Sequence, residues 1–334
     1  MPANSGIAPP QPETSTSERG SAAPEEGSSP PCRVLSEPYA GLQAQALGLA
    51  EAAGLRIDML DLVASGPWRR IPARLWPRPL HVTGIQAVPG LAIGVGGMGA
   101  AVGAALRRRG ARVVQVQAPR MDPRRFDLVV ASRHDELAGP NVLVTRTALH
   151  RATPERLAAA RALWLPRLAH LPRPLVGVLV GGSNGRFRLG PAEGTGLSAQ
   201  LAAMMARDRV GLAVTASRRT DPAVQATLEA ALRPLGAMVW GGAGENPYFG
   251  LLACADAIVA TIDSVSMVSE AVATSAPVLL AALPGRSRRI GLFLRGLAEA
   301  GRVRPFAGRL ELWPVSPLDD TATAAEEMRR RLGL

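Results

Sequence analysis

The stretch NPYFGLLACADAIVATIDSVSMVSEAVATSAPVLLAAL, residues 246–283, alternates between two kinds of apolar pattern. The short continuous apolar runs DAIVAT and APVLLAAL are typical of strands that are buried on both faces of a sheet. The segments NPYFGLLACA and DSVSMVSEAVAT, which precede these runs, predict helices. This alternation predicts a parallel sheet with helices on both faces.

The same alternation continues towards both ends of the chain. Strands are predicted at RIDML, GLAIG, RVVQVQ, FDLVVA and NVLVT, and, after the segment LPRP at 171–174, at LVGVLVGG, VGLAVTAS and AMVWGG. We therefore expect an α/β fold with two Rossmann-like, doubly wound domains that face a cleft. The predicted division is a disordered tail at 1–31, domains at 32–172 and 173–316, and a helix at 317–334 that packs back on the first domain.

Composition excludes several classes of protein. The chain has 334 residues and a formal charge of +11, and it contains no lysine, which excludes a P-loop lysine and a lysine Schiff base. Aromatic residues make up only 4% of the chain, so nucleic acid is not an expected partner. The chain has only two cysteines, no apolar run of membrane-spanning length and no apolar leader. These features predict a cytoplasmic protein.

The segment GVGGMG, residues 94–99, matches the glycine spacing of a dinucleotide-binding fold. A nicotinamide site also needs a carboxylate about 20 residues further on, where this chain has VVQVQAPR instead. A nicotinamide oxidoreductase is therefore kept only as a minor alternative. The other interpretation is that helix and strand pack closely at these glycines.

Polar residues follow the strands of the second predicted domain, where open α/β sheets bind ligands. Glycines allow a close approach of the backbone, and arginines at strand ends can bind phosphate. Taken singly, these features are equally explained as an ordinary glycine-rich turn, surface arginines and a helix cap. Taken together, the loops predict one pocket for a nucleotide diphosphate. The candidate contacts in these loops are Gly182, Ser183, Asn184, Thr215, Ser217, Arg218 and Asn246.

The sharpest signal lies in ATIDSVSMVSEAVATSAPV, residues 260–278. Asp263, Ser264 and Ser266 surround the predicted start of a helix, where free N–H groups and the helix dipole attract a diphosphate. Glu270 lies four residues after Ser266 on the same helix face, and its carboxylate could accept hydrogen bonds from two ribose hydroxyls. The alternative is a capping motif followed by a solvated glutamate.

Several of these segments together resemble one family. GGSNGRFRL, TASRRT, GENPYFGLLACADAIVATIDSVSMVSEA and RPF in the second half, with RVVQVQAPR and FDLVVASRHDELAGPNVLVT in the first, resemble the mitochondrial-fission Elm family over about residues 34 to 330. That family comprises bacterial and plant proteins grouped with the glycosyltransferases. The resemblance implies a GT-B architecture in which the second domain holds a nucleotide-diphosphate sugar, with neither a metal nor a cofactor.

The acceptor and the general base would belong to the first domain. Base candidates are His134, Asp135 and Glu37, and His134 is equally interpreted as a structural loop histidine. The segment 67–79 interleaves tryptophans with arginines, which suits an anionic membrane surface and a lipid-linked or glycan acceptor, or is a basic connecting loop. A non-catalytic nucleotide-binding scaffold protein remains the alternative function.

Overall fold

The computed structural model describes residues 30–334. It contains two six-stranded sheets in which every strand pairing is parallel. The predicted tail at 1–31 lies outside the described residues up to residue 29, and Pro31 already belongs to the first strand.

The first sheet has the order β2-β1-β3-β4-β5-β6. Helices α1 and α10 pack on one face of this sheet, and α3 packs on the other. The strands are β1 (Pro31–Ser36), β2 (Arg56–Asp61), β3 (Leu91–Val95), β4 (Arg112–Val116), β5 (Leu128–Ser132) and β6 (Val142–Thr145), and the helices are α1 (Ala40–Ala52), α2 (Pro79–Val82), α3 (Gly96–Arg107) and, from the end of the chain, α10 (Thr321–Leu332).

The second sheet has the order β12-β11-β10-β7-β8-β9. Its apolar strands are buried between α5 and α6 on one face and α4, α7, α8 and α9 on the other. The elements are α4 (Pro154–Trp164), β7 (Leu175–Val180), α5 (Pro191–Asp208), β8 (Gly211–Ala216), α6 (Pro222–Leu232), β9 (Met238–Val239), α7 (Tyr248–Cys254), β10 (Ala257–Thr261), α8 (Val265–Val272), β11 (Val278–Ala281), α9 (Arg288–Glu299) and β12 (Val303–Pro305).

Side chains cap the starts of helices α4, α6 and α8. Thr153 accepts a hydrogen bond from the Arg156 N–H at the start of α4, Asp221 caps α6 and Ser264 caps α8. Side chains that accept from the first-turn N–H groups define where these helices begin. The sequence pattern did not predict the amphipathic helix α9 or the strands β1 and β12.

The two domains exchange helices at their boundary. Helix α4, which the predicted boundary places in the first domain, buries Trp164 in the core of the second domain. In return, α10 buries Ala325 and Met328 in the core of the first domain. Each of these helices therefore packs with the core of one domain and is connected in sequence to the other. No helix within residues 30–334 combines the length and the apolar character that a bilayer crossing requires.

Candidate functional site

The strand order places a crevice at the carboxyl edge of each sheet. In the first sheet β1 lies between β2 and β3, and in the second β7 lies between β8 and β10, so connections leave in opposite directions from each of these central strands. Open α/β sheets bind ligands at such points. Glu37 follows β1 and Gly96 follows β3, whereas Gly182 lies beyond β7 and Asp263 lies beyond β10.

A cavity of about 650 Å³ lies between the two domains, and we call it the interdomain cavity. Helix α1 and the residues that precede it form one wall, and the loop after β8, α7 and the start of α8 form the other. Loops far apart in the sequence therefore meet in one receptacle. The predicted nucleotide contacts that line it are Ser217, Arg218, Ser264, Ser266 and Glu270.

Glu270 is the buried acid of the interdomain cavity. Its carboxylate accepts a hydrogen bond from the hydroxyl of Tyr248, which lies on α7 and also lines the cavity. Burial raises the pKa of Glu270 to about 7, and the hydrogen bond from Tyr248 and the charges of Arg151 and Arg156 oppose that rise. Burial also raises the pKa of Tyr248. The interpretation of Glu270 as a solvated helix residue is therefore wrong, because its residue surface is only 7% exposed.

The start of α8 opens into the same cavity. Ser264 caps the helix by accepting from the N–H of Met267 at 3.4 Å. The Ser266 hydroxyl accepts from the Gln45 side chain at 3.3 Å and donates to the carbonyl of Gly41 at 3.4 Å. The first turn of a helix carries N–H groups without intrahelical partners, and these attract anions. The serine hydroxyls and the backbone N–H groups at the start of α8 are thus suited to bind phosphate oxygens.

The loop after β8 presents two arginines with different surroundings. Arg218 is exposed and lines the interdomain cavity. Arg219 also lines it, but its guanidinium is paired with the buried carboxylate of Asp263 at 3.0 Å. Arg218 is therefore the arginine that remains available for a ligand anion on this side. Asp263 instead organises the loops, because it also accepts from the Thr261 hydroxyl at 2.7 Å.

The glycine loop after β7 uses its polar groups internally. The Gly182 N–H donates to Asp263 at 3.0 Å. It is therefore not free to bind a diphosphate, and the predicted role of Gly182 as a nucleotide contact is not supported. The Ser183 hydroxyl accepts from the Leu189 N–H at 2.9 Å, and the Asn184 side chain accepts from the N–H groups of Arg186 and Phe187. These contacts shape the loop rather than project a side chain into the cavity.

Thr215 and Asn246 form a similar internal contact. The Thr215 hydroxyl donates to the Asn246 side-chain oxygen at 3.1 Å, and the same oxygen accepts from the Tyr248 N–H at 2.9 Å. Helix α7 therefore begins at Tyr248, with Asn246 bonded to its first turn. Through this contact both residues hold Tyr248 in place, and Tyr248 in turn bonds Glu270.

The base candidates His134 and Asp135 lie in a contact between the domains, outside the lining of the interdomain cavity. Asp135 pairs with Arg289 of α9 at 2.5 Å, and its side chain is only 2% exposed. His134 packs edge-on against Phe293, and burial lowers its pKa to about 4. A buried imidazole with so low a pKa and an ion-paired carboxylate serve the domain contact and are poorly placed to accept a proton from an acceptor.

Glu37 lies in a second cavity of about 510 Å³, which we call the first-domain cavity. Its walls are the residues that follow β1, β2 and β4, the start of α3, and a basic segment at 66–76 that folds into two short 3₁₀ turns. Pro38 and Tyr39 line both cavities, so the two are neighbours that share a wall. Of the three base candidates, Glu37 borders one of these two cavities and His134 and Asp135 border neither.

The glycines of GVGGMG serve packing around this cavity. Gly96 has a φ of +73°, and a Cβ there would lie 2.8 Å from the carboxylate of Glu37. A Cβ on Gly94 would approach the Gly99 carbonyl to 2.8 Å, so β3 and α3 touch through these glycines. The glycine spacing thus has a structural cause, and the carboxylate of Glu37 lies where a dinucleotide fingerprint would need open space.

Four residues of these surroundings are not among the predicted site residues. Tyr248 and Arg151 line the interdomain cavity, Gln45 bonds Ser266, and Arg289 pairs with Asp135. For Arg289 the sequence offered one signal, which is the helical spacing of Ile290, Phe293 and Leu297 in α9. The other contacts join residues that are distant in the chain.

Comparison with known proteins covers almost all of the described chain. A family model described as mitochondrial fission ELM1 matches residues 40–332. The mitochondrial fission protein ELM1 of Arabidopsis thaliana is 34% identical over 250 residues, which are 66% of this chain and 58% of that protein. The match thus spans little more than half the length of this curated relative.

Solved structures resemble the whole two-domain arrangement at low sequence identity. The UDP-GlcNAc 2-epimerase of Methanocaldococcus jannaschii, in complex with UDP-GlcNAc and UDP, has a TM-score of 0.56 and 12% identity, with 90% of this chain and 99% of that chain covered. UGT71G1 of Medicago truncatula, complexed with UDP-glucose, has a TM-score of 0.50 and 13% identity, with 90% and 93% covered. These likenesses, with the two parallel sheets, show a GT-B-like fold.

Proposed function

The chain belongs to the mitochondrial fission ELM1 family, and from that premise and its cavities we propose that it transfers a sugar from a nucleotide-diphosphate sugar to an acceptor hydroxyl. The observation that carries the proposal is the interdomain cavity, which brings Arg218 of the loop after β8 together with Ser266 and Glu270 of α8. Two solved structures of the same fold contain UDP-sugars, which supports this class of ligand.

The donor would lie against the second domain. The carboxylate of Glu270 would accept hydrogen bonds from the ribose hydroxyls, and the start of α8 with Ser264 and Ser266 would bind the diphosphate. Arg218 would neutralise charge that develops on the leaving diphosphate as the bond from the sugar C1 to the phosphate oxygen breaks. Stabilising that charge is the main catalytic contribution in this proposal, which needs neither a metal nor another cofactor.

The acceptor would enter from the first-domain cavity. The carboxylate of Glu37 would take the proton of the acceptor hydroxyl while the oxygen forms a bond to the sugar C1. The shared wall at Pro38 and Tyr39 makes such an approach possible without crossing a domain core. His134 and Asp135 would hold the two domains together during this step.

A second candidate function is a nucleotide-binding protein without transferase activity. The name of the Arabidopsis relative describes a part in mitochondrial fission and no reaction, which favours this alternative. Such a protein would bind UDP or GDP but would neither hydrolyse nor transfer the sugar. Assays of donor hydrolysis and of transfer to a membrane extract therefore separate the two functions.

The decisive binding experiment compares nucleotides that differ by one hydroxyl. Calorimetry with UDP and GDP, and with the 2′-deoxy form of whichever binds, should show at least about 10-fold weaker binding of the deoxy form, since a hydrogen bond to a charged group contributes about 1.5–3 kcal/mol. Glu270→Ala should lower affinity for the ribonucleotide and abolish this discrimination.

A matched control is the exposed Glu299, in the same domain, as Glu299→Ala. This variant should bind the ribonucleotide as the unmodified chain does. Binding of NAD with no binding of UDP or GDP would contradict the proposal and favour the oxidoreductase alternative. Retained discrimination in Glu270→Ala would contradict the role given to Glu270.

A further inference from the structure

The first-domain cavity has a strongly positive lining. Four guanidinium groups and one carboxylate, that of Glu37, border its volume of about 510 Å³. None of these arginines has a carboxylate within 4.0 Å in the part of the chain that the structure describes. Unpaired arginines around a concave surface attract anions and can bind phosphate oxygens bidentately. They are Arg69, Arg70 and Arg74 on the basic segment and Arg120 after β4.

The start of helix α3 adds a second anion-binding element. Gly97 and Met98, in its first turn, line the cavity, and no side chain caps the helix. The N–H groups of an uncapped first turn lack intrahelical partners and carry a partial positive charge. The helix thus directs its positive end towards the same space as the arginines.

Apolar side chains surround the same opening. Tyr39 is 63% exposed and Val63 is 62% exposed, and both line the cavity together with the partly exposed Ile71. Large apolar side chains at this level of exposure mark a contact surface when they cluster. Below them the buried Trp76 donates to the carbonyl of Ile71 at 2.9 Å, which holds the basic segment in its folded form as a cavity wall.

We propose that the first-domain cavity binds an amphiphilic acceptor that carries a phosphate or diphosphate group and a hydrocarbon chain. The anionic group lies on the arginines and the start of α3, and the chain lies along Tyr39, Val63 and Ile71. This inference rests on the proposed transferase function, because Glu37 in the same cavity is the group that would activate the acceptor hydroxyl. In this proposal the segment 67–79 does not lie flat on a membrane, because it folds into one wall of a cavity.

The test uses the full chain and three soluble probes: farnesyl phosphate at monomeric concentrations, farnesol and inorganic phosphate. Farnesyl phosphate should bind at least about 10-fold more tightly than either of the others, because only it engages both the arginines and the apolar side chains. Arg69→Gln combined with Arg74→Gln should weaken its binding by about 10-fold or more and leave UDP binding unchanged. Arg108→Gln combined with Arg109→Gln removes equal charge beyond the other end of α3 and should leave both unchanged.

The outcomes separate this inference from the transferase proposal. If UDP and GDP fail to bind, the proposed function fails whatever the amphiphile does. If a nucleotide binds but farnesol binds as tightly as farnesyl phosphate, or the Arg69 and Arg74 variant binds like the unmodified chain, the acceptor inference is overturned. Binding to anionic phosphatidylglycerol vesicles without binding of monomeric farnesyl phosphate would also overturn it, in favour of a membrane surface.

Discussion

Gln45 of the first domain donates a hydrogen bond of 3.3 Å to the hydroxyl of Ser266 in the second domain. Gln117, at the end of β4, donates to the side-chain oxygen of the same Gln45 at 3.1 Å. The helix start that we propose for diphosphate binding is therefore connected to the first domain by a chain of amide groups. To donate to a phosphate oxygen, the Ser266 hydroxyl has to give up its bond to the Gly41 carbonyl.

Substitutions at Ser266 and Gln45 should have unequal effects. Ser266→Ala removes the group that would bond the phosphate, and we expect about 10-fold weaker UDP binding, since hydrogen bonds to charged groups contribute about 1.5–3 kcal/mol. Gln45→Ala removes neutral hydrogen bonds to Ser266, Gln117 and the Gly41 carbonyl but none to the phosphate, and it should change the dissociation constant by less than about 3-fold. Calorimetry on both variants measures this, and equal losses would show that the interdomain bond, not the hydroxyl, supports binding.

The buried Glu270 should make stability depend on pH. Its pKa of about 7 in the folded protein lies above the ordinary value of 4.5, so the folded state binds more protons between these values and stability falls as the pH rises from 4.5 to 7. Glu270→Gln should lack this decline. Its free energy of unfolding, relative to that of the unmodified chain, should therefore rise by about 3 kcal/mol across that pH range. Urea unfolding at a series of pH values measures the difference. If the free energies of unfolding of the variant and the unmodified chain differ by the same amount at every pH, the pKa of Glu270 is not raised.

Two adjacent arginines at the start of α9 should contribute very differently to stability. Arg289→Ala leaves the buried carboxylate of Asp135 without its partner and should cost about 3 kcal/mol, the low end for a buried pair because Arg289 itself is 36% exposed. Arg288→Ala breaks an exposed pair with Glu136 and should cost less than about 1 kcal/mol. Chemical unfolding of both variants provides the comparison. Similar losses would mean that the Asp135 pair is not a specific contact between the domains.

Two adjacent glycines at the start of α3 provide another contrast. Gly96→Ala forces a side chain into a left-handed backbone conformation and against the Glu37 carboxylate, so we expect a loss of at least about 1–2 kcal/mol. A Cβ on Gly97 would meet nothing within 4 Å, and Gly97→Ala should be neutral or slightly stabilising. Thermal unfolding of the two variants tests this. A stable Gly96→Ala variant would show that the turn can adopt another conformation.

Much of the candidate site could be predicted because parallel strands place their carboxyl ends at one edge of the sheet. Arg218 follows β8, Ser264 follows β10, and the structure brings both to one cavity with Ser266 and Glu270 of α8. Glu37 was also named from the sequence, but its place at the carboxyl edge follows from β1, a strand that the apolar pattern did not predict. The sequence could not show that Ser183 and Asn184 bond their own loop, because those contacts depend on how the loop closes.

The apolar pattern by itself determined the two doubly wound domains, because continuous apolar strands that alternate with helices can be buried only in covered parallel sheets. Only the tertiary structure decided which polar groups face a cavity and which are bonded inside the protein. Asp135 meets Arg289, and Glu270 meets Tyr248, through the packing of elements that lie far apart in the chain. Such partners are set by the three-dimensional arrangement of helices and loops, which the local periodicity of a sequence does not encode.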